Sequence, residues 1–152
     1  MASDNLVSVT INDKSLRRSL RALDLAATDM EPAMRKIAGT LLAETQFNFL
    51  DEGRPGWMPS LAAEERNGQT LQDTGRLMGS VSTEHDDRQA VVGTNVVYGA
   101  IHQFGGKTGR NESVELPARP FLPVTEDGEL QPEVVVPILD TIVRHLEGAA
   151  RR

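Results

Sequence analysis

Between residues 34 and 49, Met34, Ile37, Ala38, Leu41, Leu42, Thr45 and Phe49 recur every three or four positions. At 3.6 residues per turn that spacing lays them on one face of a helix, and a helix so striped has to be packed against something. Gly53, Pro55 and Gly56 then stop it. Upstream, Leu16, Leu20, Leu23 and Ala27 fall at helical spacing behind Asn12 or Asp13, either of which can cap a helix, and Asp29 with Pro32 marks a fresh helix start. Two helices, or one long helix with a break, are therefore expected. Ahead of them Val7, Val9 and Ile11 alternate with Ser8 and Thr10, the period-2 pattern of a half-buried strand over residues 6–11.

Beyond residue 50 the helical pattern gives way to Gly, Pro and charged residues around the single tryptophan, Trp57, which predicts a long connection over residues 51–74 with one large apolar anchor. Residues 80–84 and 89–94 read as two short strands about a turn at Asp86 and Asp87, with Val81, Val91 and Val92 as inward residues. Val97, Ile101 and Phe104 are spaced like one face of a short helix that Gly105 and Gly106 end, and residues 107–115 are polar, the pattern of an irregular, mobile arm. Pro117 and Pro120 confine the stretch that follows to an edge or extended segment. A last helix is expected over residues 132–147 with Val135, Ile138, Leu139, Ile142 and Leu146 inward, Pro132 in its first turn and Pro137 as a kink or as its true start. The class is α+β: a small antiparallel sheet packed by N-terminal amphipathic helices and a C-terminal helix, with long loops, in a single domain over residues 1–152.

Composition narrows the functions open to such a chain. There is no cysteine, which excludes a disulfide framework, a thiolate nucleophile and zinc sites with Cys ligands, and suits maturation in a reducing cytoplasm. No apolar run approaches the roughly 20 residues of a membrane-spanning helix, and the first residues carry no basic stretch ahead of an apolar one, so neither insertion nor export is expected. The net charge of −6 argues against a general grip on a phosphate backbone. The exception is local: Lys14, Arg17, Arg18 and Arg21 share one helix face, a basic stripe that is either solvated or a contact for an acidic subunit or DNA.

Catalytic and metal chemistry find little support. His85, His102 and His145 lack a second ligand three or four residues away, and a lone His102 in an amphipathic turn is far more often a structural or interface residue than a base. The adjacent carboxylates at residues 51–52, 64–65, 86–87 and 126–127 sit in polar segments that offer no apolar pocket to raise a pKa. The stretch 99–106 lacks the context of a phosphate loop. No catalytic residue, cofactor, metal or small-molecule substrate is expected.

Four segments remain, in order: Pro55-Gly56-Trp57 with Pro59; Leu71-Gln72-Asp73-Thr74-Gly75-Arg76-Leu77 with Ser80-Val81; Tyr98-Gly99-Ala100-Ile101-His102-Gln103-Phe104-Gly105-Gly106; and Leu116-Pro117-Ala118-Arg119-Pro120-Phe121-Leu122. Together they resemble the virion-morphogenesis or tail-completion family of Mu-like and related tailed phages, over most of the chain from about residue 33 onward. That resemblance implies an α+β fold and a structural role in the virion. The chain would complete the tail or join it to the head, as one subunit of a ring in the neck region. Its partners would be copies of itself and other neck or tail proteins, with DNA at most passing through and assembly in the host cytoplasm. A small nucleic-acid-binding module using the basic face is the alternative. Under the leading reading Gly75, Gly105 and Gly106 are shape residues, and Tyr98, Ile101 and Phe104 bury a compact wedge. Arg119 is placed to pair with a carboxylate of a neighbouring subunit, and the polar arm, with Lys107 and Arg110, to drape over that neighbour. The expected interface residues are Trp57, Tyr98, His102, Phe104, Lys107, Arg110, Arg119 and Phe121.

Overall fold

The computed structural model describes residues 13–151; the strand expected over residues 6–11 and the cap at Asn12 lie outside them. Two helices come first, α1 (Asp13–Thr28) and α2 (Glu31–Leu50). The break between them is where Asp29 and Pro32 predicted it: the Asp29 carboxylate accepts the Glu31 amide at 3.3 Å, and Pro32 sits in the opening turn of α2. The buried face of α2 is Ala33, Ile37, Ala38, Leu41, Thr45, Asn48 and Phe49, the predicted stripe with Ala33 and the polar Asn48 added and with Met34 and Leu42 half-buried.

The long connection is not structureless. It contains α3 (Leu61–Glu65), capped by the Ser60 hydroxyl accepting the Ala63 amide at 3.1 Å, and is followed by α4 (Arg76–Ser80). Gly75 opens α4 with φ of 75°, a left-handed conformation that glycine adopts without steric cost. Both helices are a single turn and a half, too short to leave a period in the sequence. Strands β1 (Ser82–His85) and β2 (Ala90–Gly93) then pair antiparallel, with Thr83 opposite Val92 and Glu84 opposite Val91. Asp86 closes their turn by accepting the amides of Arg88 and Gln89 at 2.7 and 2.9 Å. Only Val92 of the adjacent pair turns inward; Val91 is exposed, because neighbours on a strand face opposite ways.

Helix α5 (Gly99–Phe104) ends at Gly105 as predicted. The arm after it is ordered as a second hairpin, β3 (Gly106–Thr108) and β4 (Val114–Leu116), joined through a 3₁₀ turn at Arg110–Glu112. Backbone pairing holds this polar segment, which a search for apolar alternation misses. The chain runs on without regular structure to α6 (Pro132–Ala150), which keeps Pro137 inside it.

Helices α1 and α2 both pack on α6, and the β1–β2 hairpin lies on α2. Two apolar clusters result. Phe49, Trp57, Leu77, Val81 and Phe121 form one, with the Phe49 ring edge-on to Trp57 at 6.0 Å and tilted against Phe121 at 5.3 Å. Ile37, Leu41 and Val134 form the other, flanked by Ile138 and Ile142.

The expected phase of two helices is corrected. On α6 the inward residues are Val134, Ile138 and Ile142, while Val135 and Leu139 face outward. On α1 the buried residue is Ala26, and Leu16, Leu20 and Ala27 are exposed. In each case the apolar residues cover more than one face, so periodicity alone did not say which face lies inside.

A basic cleft where four segments meet

The four segments singled out above are far apart in the chain and converge in space. Gln103 is buried on α5, and its Oε1 accepts the amides of Phe121 and Leu122, each at 3.0 Å. The Arg119 amide donates to the His102 carbonyl at 2.7 Å, and the Trp57 indole donates to the Pro120 carbonyl at 3.1 Å. Gly105 makes the crossing possible: at φ of 71°, a β-carbon there would stand 2.7 Å from the Ala118 amide nitrogen and 2.9 Å from the Leu116 carbonyl oxygen. A polar network secures the other side. Buried Asn48 donates to the Phe121 carbonyl at 3.0 Å and to Gln131 Oε1 at 2.9 Å, and accepts from Arg54 Nε at 2.8 Å, while Arg54 also pairs with Glu44 at 2.7 Å.

Residue 119 sits where these bonds cross. Arg119 is only 4% exposed; its Nε donates to the Met58 carbonyl at 2.7 Å, and no carboxylate pairs with it among the described residues. Burial lowers its pKa from the ordinary guanidinium value. It forms the floor of an open cleft of about 560 Å³ walled by α3, α4 and α5, which Arg66, Asp73, Arg76, Tyr98 and His102 also line. Arg76 lies over the Tyr98 ring at 5.9 Å, and Tyr98 meets the His102 imidazole edge-on at 6.0 Å. His102 Nδ1 is buried with no hydrogen-bond partner. Burial and, next, the charge of Arg119 hold the imidazole below its ordinary pKa, so it is kept neutral. Three guanidinium groups face one carboxylate here, Asp73, which stands 3.8 Å from Arg66. The cleft is therefore an electropositive place on an acidic protein. No hydroxyl or carboxylate hydrogen-bonds to His102 among the described residues.

The sequence-predicted residues divide. His102, Arg119 and Gly75 meet at the cleft, with Tyr98 at its wall. Trp57 and Phe121 lie in the interior of the chain itself. The wedge of Tyr98, Ile101 and Phe104 does not form: Phe104 is 77% exposed, Tyr98 is also exposed, and the buried positions on α5 are Gly99 and Gln103. A six-residue helix has one narrow inner face, and the glycine and the glutamine occupy it. Lys107 and Arg110 are exposed on the second hairpin, away from the cleft lining. Gly106, at φ of 137°, lets Ile101 approach to 3.1 Å of where a β-carbon would stand. Lys14, Arg17, Arg18 and Arg21 are exposed along α1. Gln103, Asn48 and Arg76 escaped sequence reasoning about the site; Asn48 is a polar residue within the apolar stripe of α2, a signal that could have found it, whereas Gln103 lies off the stripe read on its helix.

Among the described residues there is no cluster of His, Asp and Glu able to hold a metal ion, and no helix long and apolar enough to cross a membrane. What the fold defines is a small α+β protein whose most constrained residues build a shaped, basic surface. The chain belongs to the phage virion morphogenesis family, which it matches over residues 11–147, and its role is in phage structure or assembly. It is 42% identical over 125 residues to Mu-like prophage FluMu G protein 2 of Haemophilus influenzae, covering 82% of this chain and 88% of that one. It is 28% identical to putative capsid assembly protein G of Escherichia phage Mu, over 90% of this chain and 94% of that one. FluMu G protein 1 of Haemophilus influenzae is 32% identical over 62% of this chain and 68% of its own length. No solved structure matches the chain.

Proposed function

We propose that this chain completes the phage tail or joins tail to head, as one of several copies in a ring in the neck region, and that it catalyses nothing. The observation that carries the reading is the outward face of α6. Val135, Val136, Leu139 and Val143 lie at helical spacing along it, with Val136 70% and Leu139 56% exposed. Contiguous apolar stripes of this kind on a single subunit mark contact with another protein. The partners are copies of the chain and other neck or tail proteins, without membrane or small molecule, and assembly takes place in the host cytoplasm. The relative named for capsid assembly is in keeping with a place close to the head.

The test is genetic and visual. A phage lacking this chain should accumulate filled heads beside unattached tails. A null mutant that releases intact, infectious particles, or that fails before heads form, would sink the joining role. The competing nucleic-acid reading draws on the exposure of Lys14, Arg17, Arg18 and Arg21. Exposed Leu16 and Leu20 run along the same helix, which suits a protein contact better than a phosphate contact. It would show itself as DNA binding that weakens steeply with salt.

A further inference from the structure

Arg119 poses a question that the described residues do not answer. Burying a guanidinium without a counter-charge is costly, and buried cations are normally paired. Here the nearest carboxylate lining the cleft, Asp73, is engaged with Arg66 and is itself largely exposed. No described residue supplies the missing negative charge.

The same segment that carries Arg119 shows where it comes from. Arg119 lines the cleft, whereas its neighbours Ala118 and Pro120 line a separate groove of about 380 Å³ that shares no residue with it. Over that groove stands a tight acidic turn. Its backbone is closed by Thr125 N donating to the Glu129 carbonyl at 2.7 Å and by Gly128 N donating to the Thr125 carbonyl at 3.0 Å. Glu126 and Asp127 line the groove and are exposed, and their carboxylates have no partner among the described residues. Other acidic pairs are worse placed. Asp86 is consumed by the amides of its own turn, and Glu64 and Glu65 lie on α3, the helix that walls the basic cleft. So the molecule carries an unfilled basic cleft on one side of the segment 117–121 and a preformed, unpaired acidic turn on the other.

We infer that the Glu126–Asp127 turn of one copy seats in the Arg119–Arg76 cleft of the next, so that copies associate head to tail. The occupant is a second copy of this chain, and the inference rests on the reading that the protein works in several copies. Donor and acceptor patches on different faces make a heterologous contact, which repeats from copy to copy and closes into a ring when the rotation allows. Bidentate pairing of a guanidinium with a carboxylate supplies direction as well as attraction, and a turn already closed by its own hydrogen bonds loses little entropy on docking.

The experiment is sedimentation of the purified full chain with exposed substitutions at each patch. Arg76→Glu alters the cleft rim, and Glu126→Lys with Asp127→Lys alters the turn; all three positions are exposed, and the urea midpoint checks that each variant folds as the parent does. Self-association should weaken by about a hundredfold in either variant, since each sets like charges face to face. Mixing the two variants, or combining all three substitutions in one chain, should restore association at least in part, because opposite charges meet again. Mutual rescue is something that structural damage cannot imitate. Association unaffected by the substitutions overturns the pairing while leaving the joining role to the genetic test, as does a parent chain that stays monomeric at its highest soluble concentration. A cleft that instead binds a DNA duplex, with Arg76→Glu abolishing it, assigns the site to phosphate and overturns the pairing as well.

Discussion

Asn48 holds three parts of the fold with one amide, and its loss is the sharpest residue-level test of how the cleft is supported. The side chain is fully buried, donates to Phe121 and Gln131 and accepts from Arg54. Asn48→Ala leaves two acceptors and a guanidinium donor unmet away from water, at about 1–3 kcal/mol for each group that cannot find a new partner. A loss of about 3 kcal/mol in urea denaturation is expected, and a change under about 1 kcal/mol would mean that water replaces the amide. His102 makes a pH prediction. Its folded pKa is lowered by burial and then by Arg119, so the folded chain binds this proton less readily than the unfolded chain. The stability it contributes is complete above the unfolded value of about 6.5 and drains away as pH falls toward and through the lowered folded value. The urea midpoint of the parent should therefore drop further between about pH 7.5 and pH 5 than that of His102→Gln. Identical drops would show that the imidazole is not held neutral by its surroundings.

Helices α2 and α6 show what the sequence made legible and what it concealed. The stripe on α2 was readable because Arg35, Lys36, Gly39 and Gln46 occupy its outward face through most of its length and leave one solution for which side is buried. Helix α6 has apolar residues all around its first three turns, so its extent could be read and Ile138 and Ile142 were placed inward, but Val135 and Leu139 were assigned to the inner face in place of Val134. Hydrophobicity marks a surface that leaves water; it does not distinguish the interior of the chain from a contact between chains. The same physics hid the site. Gln103 and Asn48 act through hydrogen bonds to backbone 18 and 73 residues away, and no local pattern encodes such partners. The two faces of α6 separate by mutation. Ile138→Ala, against Ile37, Leu41 and Val134, should cost about 2–4 kcal/mol of stability. Leu139→Glu, one residue on, should leave the unfolding free energy in urea within about 0.5 kcal/mol of the parent yet sharply reduce the yield of infectious particles in complementation. Should Leu139→Glu complement fully, the outward stripe is not a contact.

Across the molecule, packing is uneven, and the unevenness falls where assembly would use it. Helix α2 touches α6 and both strands of the first hairpin, whereas α1 rests chiefly on α6. Its inner face is small, with Ser19, Ala22 and Ala26 against the last helix, and it buries little apolar area. Polar contacts compensate in part. Ser19 Oγ donates to the Ala150 carbonyl at 3.3 Å, and His145 Nε2 stands 3.0 Å from the carbonyls of both Ala26 and Asp29. Carbonyls only accept, so this nitrogen carries the proton and caps the end of α1. An element held by few apolar contacts opens at lower free energy than the core it lies on. In hydrogen exchange the amides of α1 should therefore exchange ahead of those of α2, and His145→Ala should speed α1 by roughly fivefold, the equivalent of about one hydrogen bond, without changing α2. Exchange of both helices at one common rate would instead mean that α1 is part of the global unfolding unit. Exposed Leu16 and Leu20 give α1 a second apolar surface that no described residue covers, beside Arg17 and Arg21. If that surface is covered on assembly, α1 is the element whose protection should rise most in the particle, because it begins with the least.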